Sequence, residues 1–414
     1  MTEKKSVRAL PKLRFPEFAD EPPWECPVLG KLAKRVTKRN SDGAELRALT
    51  NSAEHGVVDQ KDFFDKVIAV KTDNYFVVEK GDYVYNPRVS TTAPVGPISK
   101  NLIGTGVMSP LYTVFRFRSE TNDFFAHYFK SSHWHGYLQR VSNSGARHDR
   151  MAISNDDFMQ MPIPTPTPRE QQKIVDCLGS LDDLIAGQTQ QLDALRRHKK
   201  GLVNQLFPQE GNTLPAVRFL QYQNSGDWIS TTLGEVADYE NGKAYEQDIV
   251  DDGRFVVVNA RFISTNGAVE KFTNETYCIA QTGDVLMVLS DLPSAKALAR
   301  CFLVDADEKY AVNQRIAKLR PHSVDSKFLM YVLDQHPLLV AFSDGINQTH
   351  LSKGAVLNCP LAIPRDNCEQ KRIANCFSTL DAMLSAQTHR LEFLKTYKKG
   401  LLQSLFPSLG DQRL

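Results

Sequence analysis

The chain has 414 residues, enough for two or three domains at roughly 150 residues each. Hydrophobic residues make up 42% and charged residues 24%, a balance that excludes disordered, collagen-like and low-complexity architectures. Lys plus Arg number 50 and Asp plus Glu 48, a formal charge of +2, so a nucleic-acid surface would have to be a local basic patch and not a general coat. The seven cysteines (Cys26, Cys177, Cys278, Cys301, Cys359, Cys368 and Cys376) are odd in number and show no CxxC spacing, so neither a disulfide framework nor a zinc site is expected. Met-Thr-Glu-Lys-Lys leads into no apolar h-region, and no run of about 18 apolar residues occurs. The expectation is a reduced, soluble, cytoplasmic protein.

In chain order, the first recognisable segment carries Leu10, Pro11, Arg14, Phe15, Trp24, Leu29, Gly30 and Ala33, and it returns as Leu214, Pro215, Arg218, Phe219, Trp228, Leu233, Gly234 and Ala237 at a constant offset of 204. An insert of about 38–144 follows. Its short runs Tyr75-Phe76-Val77-Val78 and Tyr112-Thr113-Val114-Phe115 lie between Gly, Asp and Asn breakers and predict strands, while the stretch near 122–139 predicts a helix. The polar loop Asn86-Pro87-Arg88-Val89-Ser90-Thr91-Thr92 follows an expected strand, and 140–150 is the densest basic stretch of this half.

Residues 170–208, EQQKIVDCLGSLDDLIAGQTQQLDALRRHKKGLVNQLFP, come next and recur at 369–407 as EQKRIANCFSTLDAMLSAQTHRLEFLKTYKKGLLQSLFP, offset by 199 without a gap. Ile174, Leu178, Leu181, Ile185, Leu192, Leu195, Leu202 and Leu206 alternate at spacings of four and three, as do Ile373, Phe377, Leu380, Leu384, Leu391, Leu394, Leu401 and Leu405. Such a narrow seam is what one coiled-coil strand offers another. Gln188 and Gln387 stand on it in both copies, with Lys199 and Lys398, and polar seam residues penalise wrong registers. Thr167-Pro168 and Glu170 predict the start, Phe207-Pro208 and Phe406-Pro407 the ends. At about 1.5 Å per residue each helix would be roughly 55 Å long. Two similar halves favour antiparallel packing; the other possibility is an ordinary amphipathic helix packed on its own domain. If equal sequence means equal placement, residues 8–18 pack beside the end of the second helix as 212–222 pack beside the end of the first.

The second insert, about 242–344, shares almost no residues with the first but keeps its rhythm, Gly81-Asp82-Tyr83-Val84 returning as Gly283-Asp284-Val285-Leu286. Phe255-Val256-Val257-Val258 predicts a strand and 325–341 a helix. Both inserts therefore read as mixed α/β (α+β).

No GxxxxGK[ST] loop and no GxGxxG turn is present, and Asn86-Pro87-Arg88 only approaches the Asn-Pro-Pro-aromatic loop of amino-methylating enzymes. His133, Trp134 and His135 have no third ligand placed by the sequence. The chain reads as non-catalytic, with no metal site.

The LPxxRF segments at Leu10–Phe15 and Leu214–Phe219, the Trp…LGxxA entries at Trp24–Ala33 and Trp228–Ala237, the Ile-Pro exits and the Lys-Lys-Gly-Leu to Leu-Phe-Pro helix ends together resemble the specificity (S) subunits of type I restriction-modification systems. The resemblance covers nearly the whole chain. It implies two pseudo-symmetric target recognition domains separated by two long helices forming an antiparallel coiled coil: residues 1–165 the N-terminal segment and first recognition domain, 166–210 the first spacer helix, 211–365 the second recognition domain, and 366–414 the second spacer helix and C-terminus. Each recognition domain would read one half of a split asymmetric sequence in double-stranded DNA. The helices would dock two methyltransferase (M) subunits, with restriction (R) subunits completing the nuclease. S-adenosylmethionine, ATP and Mg are then expected on those partners and none in this chain. The opposing hypothesis is a coiled-coil adaptor displaying two protein-binding domains.

Side-chain chemistry selects candidate DNA contacts, since Arg and Lys suit guanine, Asn and Gln adenine, and Ser or Thr several base edges. In the first insert these are Asn86, Arg88, Ser90, Thr91, Arg147, His148 and Arg150. In the second they are Ser290, Lys296, Asn313, Gln314, Arg315, Asn347, Gln348, Thr349 and His350. Candidate seam and subunit-docking positions are Leu181, Gln188, Leu192, Leu195, Leu380, Gln387, Leu391 and Leu394. The clusters at 196–200 and 395–399 could grip phosphate, or serve only the helix macrodipole.

Overall fold

The computed structural model describes residues 8–41, 43, 45, 47–65, 72–142, 149–209, 211–291, 297–343 and 349–409. The chain divides into two compact units, one running to Thr189 and resuming at His389, the other Gln190–Thr388. Each unit therefore owns one end of each long helix.

Both units are built on the same four-stranded antiparallel sheet. In the first unit the strand order is Ala33–Arg35, Thr113–Phe117, Tyr83–Tyr85, Ile98–Lys100; in the second it is Ala237–Asn241, Ile316–Pro321, Val285–Val288, Cys301–Leu303. Register repeats as well: Phe115 faces Tyr83 as Leu319 faces Val285. Side chains alternate across a strand, and here both faces are covered. Tyr83, Tyr85, Phe115 and Phe117 pack with the helices of their unit, while Val84 and Val114 pack with Leu49, Phe76, Val78 and Met108 of the smaller strands behind. The second unit divides Val285 and Met287 from Leu286 and Val288 in the same way. Stacked and edge-to-face rings fill the helix-facing layer of the first unit, whereas Leu and Val dominate the second.

The repeated Gly-Asp turn is explained by two requirements. Gly81 and Gly283 adopt φ of 96° and 90°, which costs glycine nothing. Asp82 is buried and accepts from Arg116 Nε at 2.5 Å, Arg116 Nη2 at 3.0 Å and the Glu79 amide at 2.8 Å. Asp284 is held identically by Arg320, at 2.8 and 2.9 Å, and by the Gln281 amide at 2.9 Å.

The stretches expected as single helices near 122–139 and 325–341 are each broken in two, into Asp123–Tyr128 with His135–Val141 and Ser326–Leu333 with Pro337–Val340. Ser131 bonds back to the Tyr128 carbonyl at 2.7 Å and ends the first turn set, and Gln335, at φ 57°, breaks the second just before Pro337.

The long helices run Pro168–Leu206 and Asn367–Leu405, 39 residues each. In the first unit Ile174 and Leu178 share a core with Leu402, Leu405 and Phe406. In the second, Leu202 and Leu206 share one with Ile373 and Phe377. Within both units the helix ends thus pack antiparallel, and each also packs on its own domain.

Candidate nucleic-acid interface

In the first unit, strand Tyr83–Tyr85 runs into Asn86, whose amide donates to the Asn51 carbonyl at 2.9 Å and whose Oδ1 accepts from the Arg88 amide at 3.0 Å. Asn86 therefore shapes the loop. Gly96 closes it from behind, at φ 80°, where a side chain's first carbon would stand 2.0 Å from the Asn86 carbonyl oxygen. The following residues form a ledge with the stretch after the basic loop: Arg88 bridges Arg150, the Met151 amide donates to the Pro87 carbonyl at 2.9 Å, and the Val89 amide donates to Asp149 at 3.0 Å. Arg88 Nη2 and Arg150 Nε both lie 3.7 Å from Asp149 Oδ2. Ser90 accepts from the Ala93 amide at 3.1 Å and lies 3.2 Å from Thr92, and Thr91 is exposed. Arg147 and His148 fall outside the described residues.

The second unit builds the same ledge with other side chains. Strand Val285–Val288 continues through Leu289 to Ser290, which pairs with His350, as Asp291 pairs with Thr349. Ser290 is buried and His350 exposed. The Leu289 amide donates to the Arg315 carbonyl at 2.9 Å, bringing the exposed Arg315 beside this ledge. Asn313 and Gln314 donate to Glu246 Oε1 at 3.2 and 3.1 Å. Burial alone would raise the Glu246 carboxyl, but hydrogen bonds from these amides outweigh it and hold it below its ordinary value. Gly242 is required here, because a first side-chain carbon would stand 2.1 Å from the Asn313 carbonyl oxygen. Lys296, Asn347 and Gln348 fall outside the described residues.

In each half the structure thus brings together two candidate stretches that lie about sixty residues apart in sequence: Arg88 with Arg150, and Ser290 with Thr349 and His350. It binds Asn86 and Asn313 into the fold. Asp149 joins the site beyond the residues that side-chain chemistry selects, its place between two basic positions being the signal for it, and so do the Asp82–Arg116 and Asp284–Arg320 pairs, signalled by the constant spacing of the repeat.

Along the helices Gln188, Leu192, Leu380 and Leu391 are buried, and Leu181, Leu195, Gln387 and Leu394 half-buried. The seam lysines are partnered across it: Lys199 reaches Asp381 at 2.5 Å, with Tyr331 donating to the other oxygen at 2.8 Å, and Lys398 is hydrogen-bonded to Asp182. Burial draws Lys398 below the ordinary ammonium value, opposed by Asp182. Arg196 and Lys395 pair within their own helices with Asp193 and Glu392. Arg197, His198, Lys200 and Lys399, the other exposed basic members of the two clusters, make no such pair among the described residues. His133 sits 3.1 Å from the Gln403 carbonyl oxygen.

Residues 50–197 and 225–396 match the family described as type I restriction modification DNA specificity domain. A curated relative, the type I restriction enzyme MjaVIII specificity subunit of Methanocaldococcus jannaschii, is 24% identical over 268 residues, 60% of this chain and 62% of that protein. The chain thus spans less than two thirds of that relative's length. Among solved structures, the type I restriction-modification system S subunit from M. genitalium aligns with a TM-score of 0.58 at 14% identity, over 96% of this chain and 99% of that one. A chain from a structural study of type I R-M complex assembly and conformational transition aligns at 0.57 and 18% identity, over 94% and 98%. Among the described residues no helix is long and apolar enough to cross a membrane.

Proposed function

Because the chain belongs to the type I restriction modification DNA specificity family, we propose that it is the sequence-reading subunit of such a complex, each unit reading one half of a split asymmetric target in double-stranded DNA. The observation that carries this reading is the contrast between frame and ledge. Sheet order, register, the Asp–Arg braces and the helix packing repeat between the units, while the ledges differ, Arg88, Asp149 and Arg150 in one and Ser290, Thr349 and His350 in the other. Two different readers on one duplicated frame is what an asymmetric split target demands. Backbone contacts would position the duplex and the ledges would specify bases.

In this reading the long helices dock two M subunits, R subunits join them, and methylation and cleavage reside in those partners, which carry S-adenosylmethionine, ATP and Mg. The chain itself is non-catalytic and works in the cytoplasm. The near-even charge, 50 basic against 48 acidic residues, favours leaving much of the phosphate contact to partner subunits. It also favours the adaptor alternative.

The test is a domain exchange. Replacing residues 225–365 by the corresponding segment of another family member, and mapping methylated bases in cells that also carry the M partner, should change one half-site and leave the other intact. A simultaneous change of both halves refutes modular reading. Retained M binding with indifference to DNA identifies an adaptor.

A further inference from the structure

We propose that the first unit recognises guanine in its half-site through Arg88 and Arg150, with Asp149 as the positioning residue between them, and that the second unit's ledge has no arginine pair to do so. The inference rests on the DNA-reading function proposed above and goes on to assign the base class and the residues.

The two arginines stand opposite one another in an antiparallel bridge. Like charges placed across a strand pair repel, and the one carboxylate beside them, Asp149, approaches each to only 3.7 Å. Among the described residues neither guanidinium donates a hydrogen bond, and the Arg88 and Arg150 side chains are 65% and 28% exposed, so the Arg88 fork is open to an outside acceptor and the Arg150 fork partly so. The backbone beneath is rigid. Asn86, Gly96 and the Pro87–Met151 and Val89–Asp149 hydrogen bonds hold both strands of the ledge. An arginine fork matches the paired O6 and N7 acceptors of guanine in the major groove, and it matches two phosphate oxygens equally well.

The internal repeat separates these two acceptors. Phosphates are identical in both half-sites, so residues that grip them have reason to recur in both units, but the arginines that do recur, Arg14 with Arg218 and Arg116 with Arg320, are spent on carboxylates of the frame. Arg88, Asp149 and Arg150 do not recur. Strand register places Ser290, Thr349 and His350 at the same positions. The arginine whose backbone meets the second ledge is Arg315, from a different strand connection, where the first unit carries the exposed Leu111. A contact that changes between halves while the frame stays constant is a contact to bases.

The experiment uses the assembled complex of the full chain with its M subunits and a random-sequence duplex library, scored by the position of methylated bases. Arg88→Gln and Arg150→Gln should each relax a guanine preference in one half-site by roughly ten-fold, with the other half-site unchanged. Asp149→Asn, which keeps shape and removes the positioning charge, should weaken the same preference less. Unaltered thermal stability and M-subunit assembly establish that the variants are folded. Uniform loss across all sequences with an unchanged consensus would make the pair a phosphate grip and overturn the assignment while leaving the reading function intact. A wild-type half-site without guanine would overturn it directly. A wild-type complex with no sequence preference would refute the reading function itself.

Discussion

Arg14 closes on Glu170 through two parallel hydrogen bonds, Nε to Oε1 and Nη2 to Oε2, both 2.8 Å, and 204 residues later Arg218 meets Glu369 the same way at 2.6 and 2.7 Å. These pairs tie the LPxxRF segment of each half to the first turn of the long helix that follows its domain. One difference separates them. Trp24 donates its indole N–H to Glu170 at 3.0 Å, whereas the buried indole N–H of Trp228 has no partner among the described residues.

That difference makes the two carboxylates unequal. Removing one member of a buried pair strands the other at about 3–5 kcal/mol, and Glu170→Ala strands two donor side chains, Arg14 and Trp24, where Glu369→Ala strands only Arg218. Chemical denaturation should show the larger loss for Glu170→Ala. Trp24→Phe should cost about 1 kcal/mol more than Trp228→Phe, since only the first gives up a hydrogen bond. Equal losses in either comparison would contradict the geometry.

The seam should govern assembly and leave base choice alone. Leu192 and Leu391 are 3% and 6% exposed in the middle of their helices, so an aspartate at either site meets an apolar surface at a cost of several kcal/mol. Leu192→Asp or Leu391→Asp should reduce recovery of the complex with M subunits in size-exclusion chromatography. An intact complex that methylates new sites would show the seam acting on specificity.

His127 is buried among Lys130, Lys398, Asp182 and Asp123, and burial, aided by the two lysines, pushes its pKa down to about 4. The folded value lies below the unfolded value near 6.5, so the unfolded chain binds the extra proton first. The stabilisation is complete above pH 6.5 and is lost progressively down to pH 4, by on the order of 3 kcal/mol. His127→Gln should flatten the stability profile in that window, measured by denaturant midpoints of both proteins. Parallel profiles would place the pH dependence elsewhere.

The Leu13 amide donates to the Ser404 carbonyl at 2.9 Å, and the Val217 amide to the Gln205 carbonyl at 3.0 Å. The two helix ends are therefore covered alike, as equal sequence implied. A permuted chain opened at Gly211, with residue 409 joined to residue 8 by a short linker, should fold and support methylation of the unchanged target. A soluble permutant that fails to join M subunits would mean that the continuous 206–214 connection matters beyond its hydrogen bonds.

Much of this protein was determined locally, and those parts were legible in the sequence. The 199-residue repeat and its four–three leucine spacing specify two 39-residue helices, because helical periodicity and Pro stops act within a few residues. Strands at Phe76–Val78, Thr113–Phe117 and Phe255–Val258 follow from β-branched and aromatic runs between breakers. What the chain left open were relationships among residues far apart. Only the folded sheets bring Arg88 to Arg150 and Ser290 to His350, and only they show that Asn86 and Asn313 are occupied with their own backbone and Glu246. The pairing of Lys199 with Asp381 and of Lys398 with Asp182 was equally invisible, since heptad spacing names the seam but not the opposite charge across it. Base-reading edges are set by which strands meet, and that choice is made by cores on both sheet faces that no single segment contains.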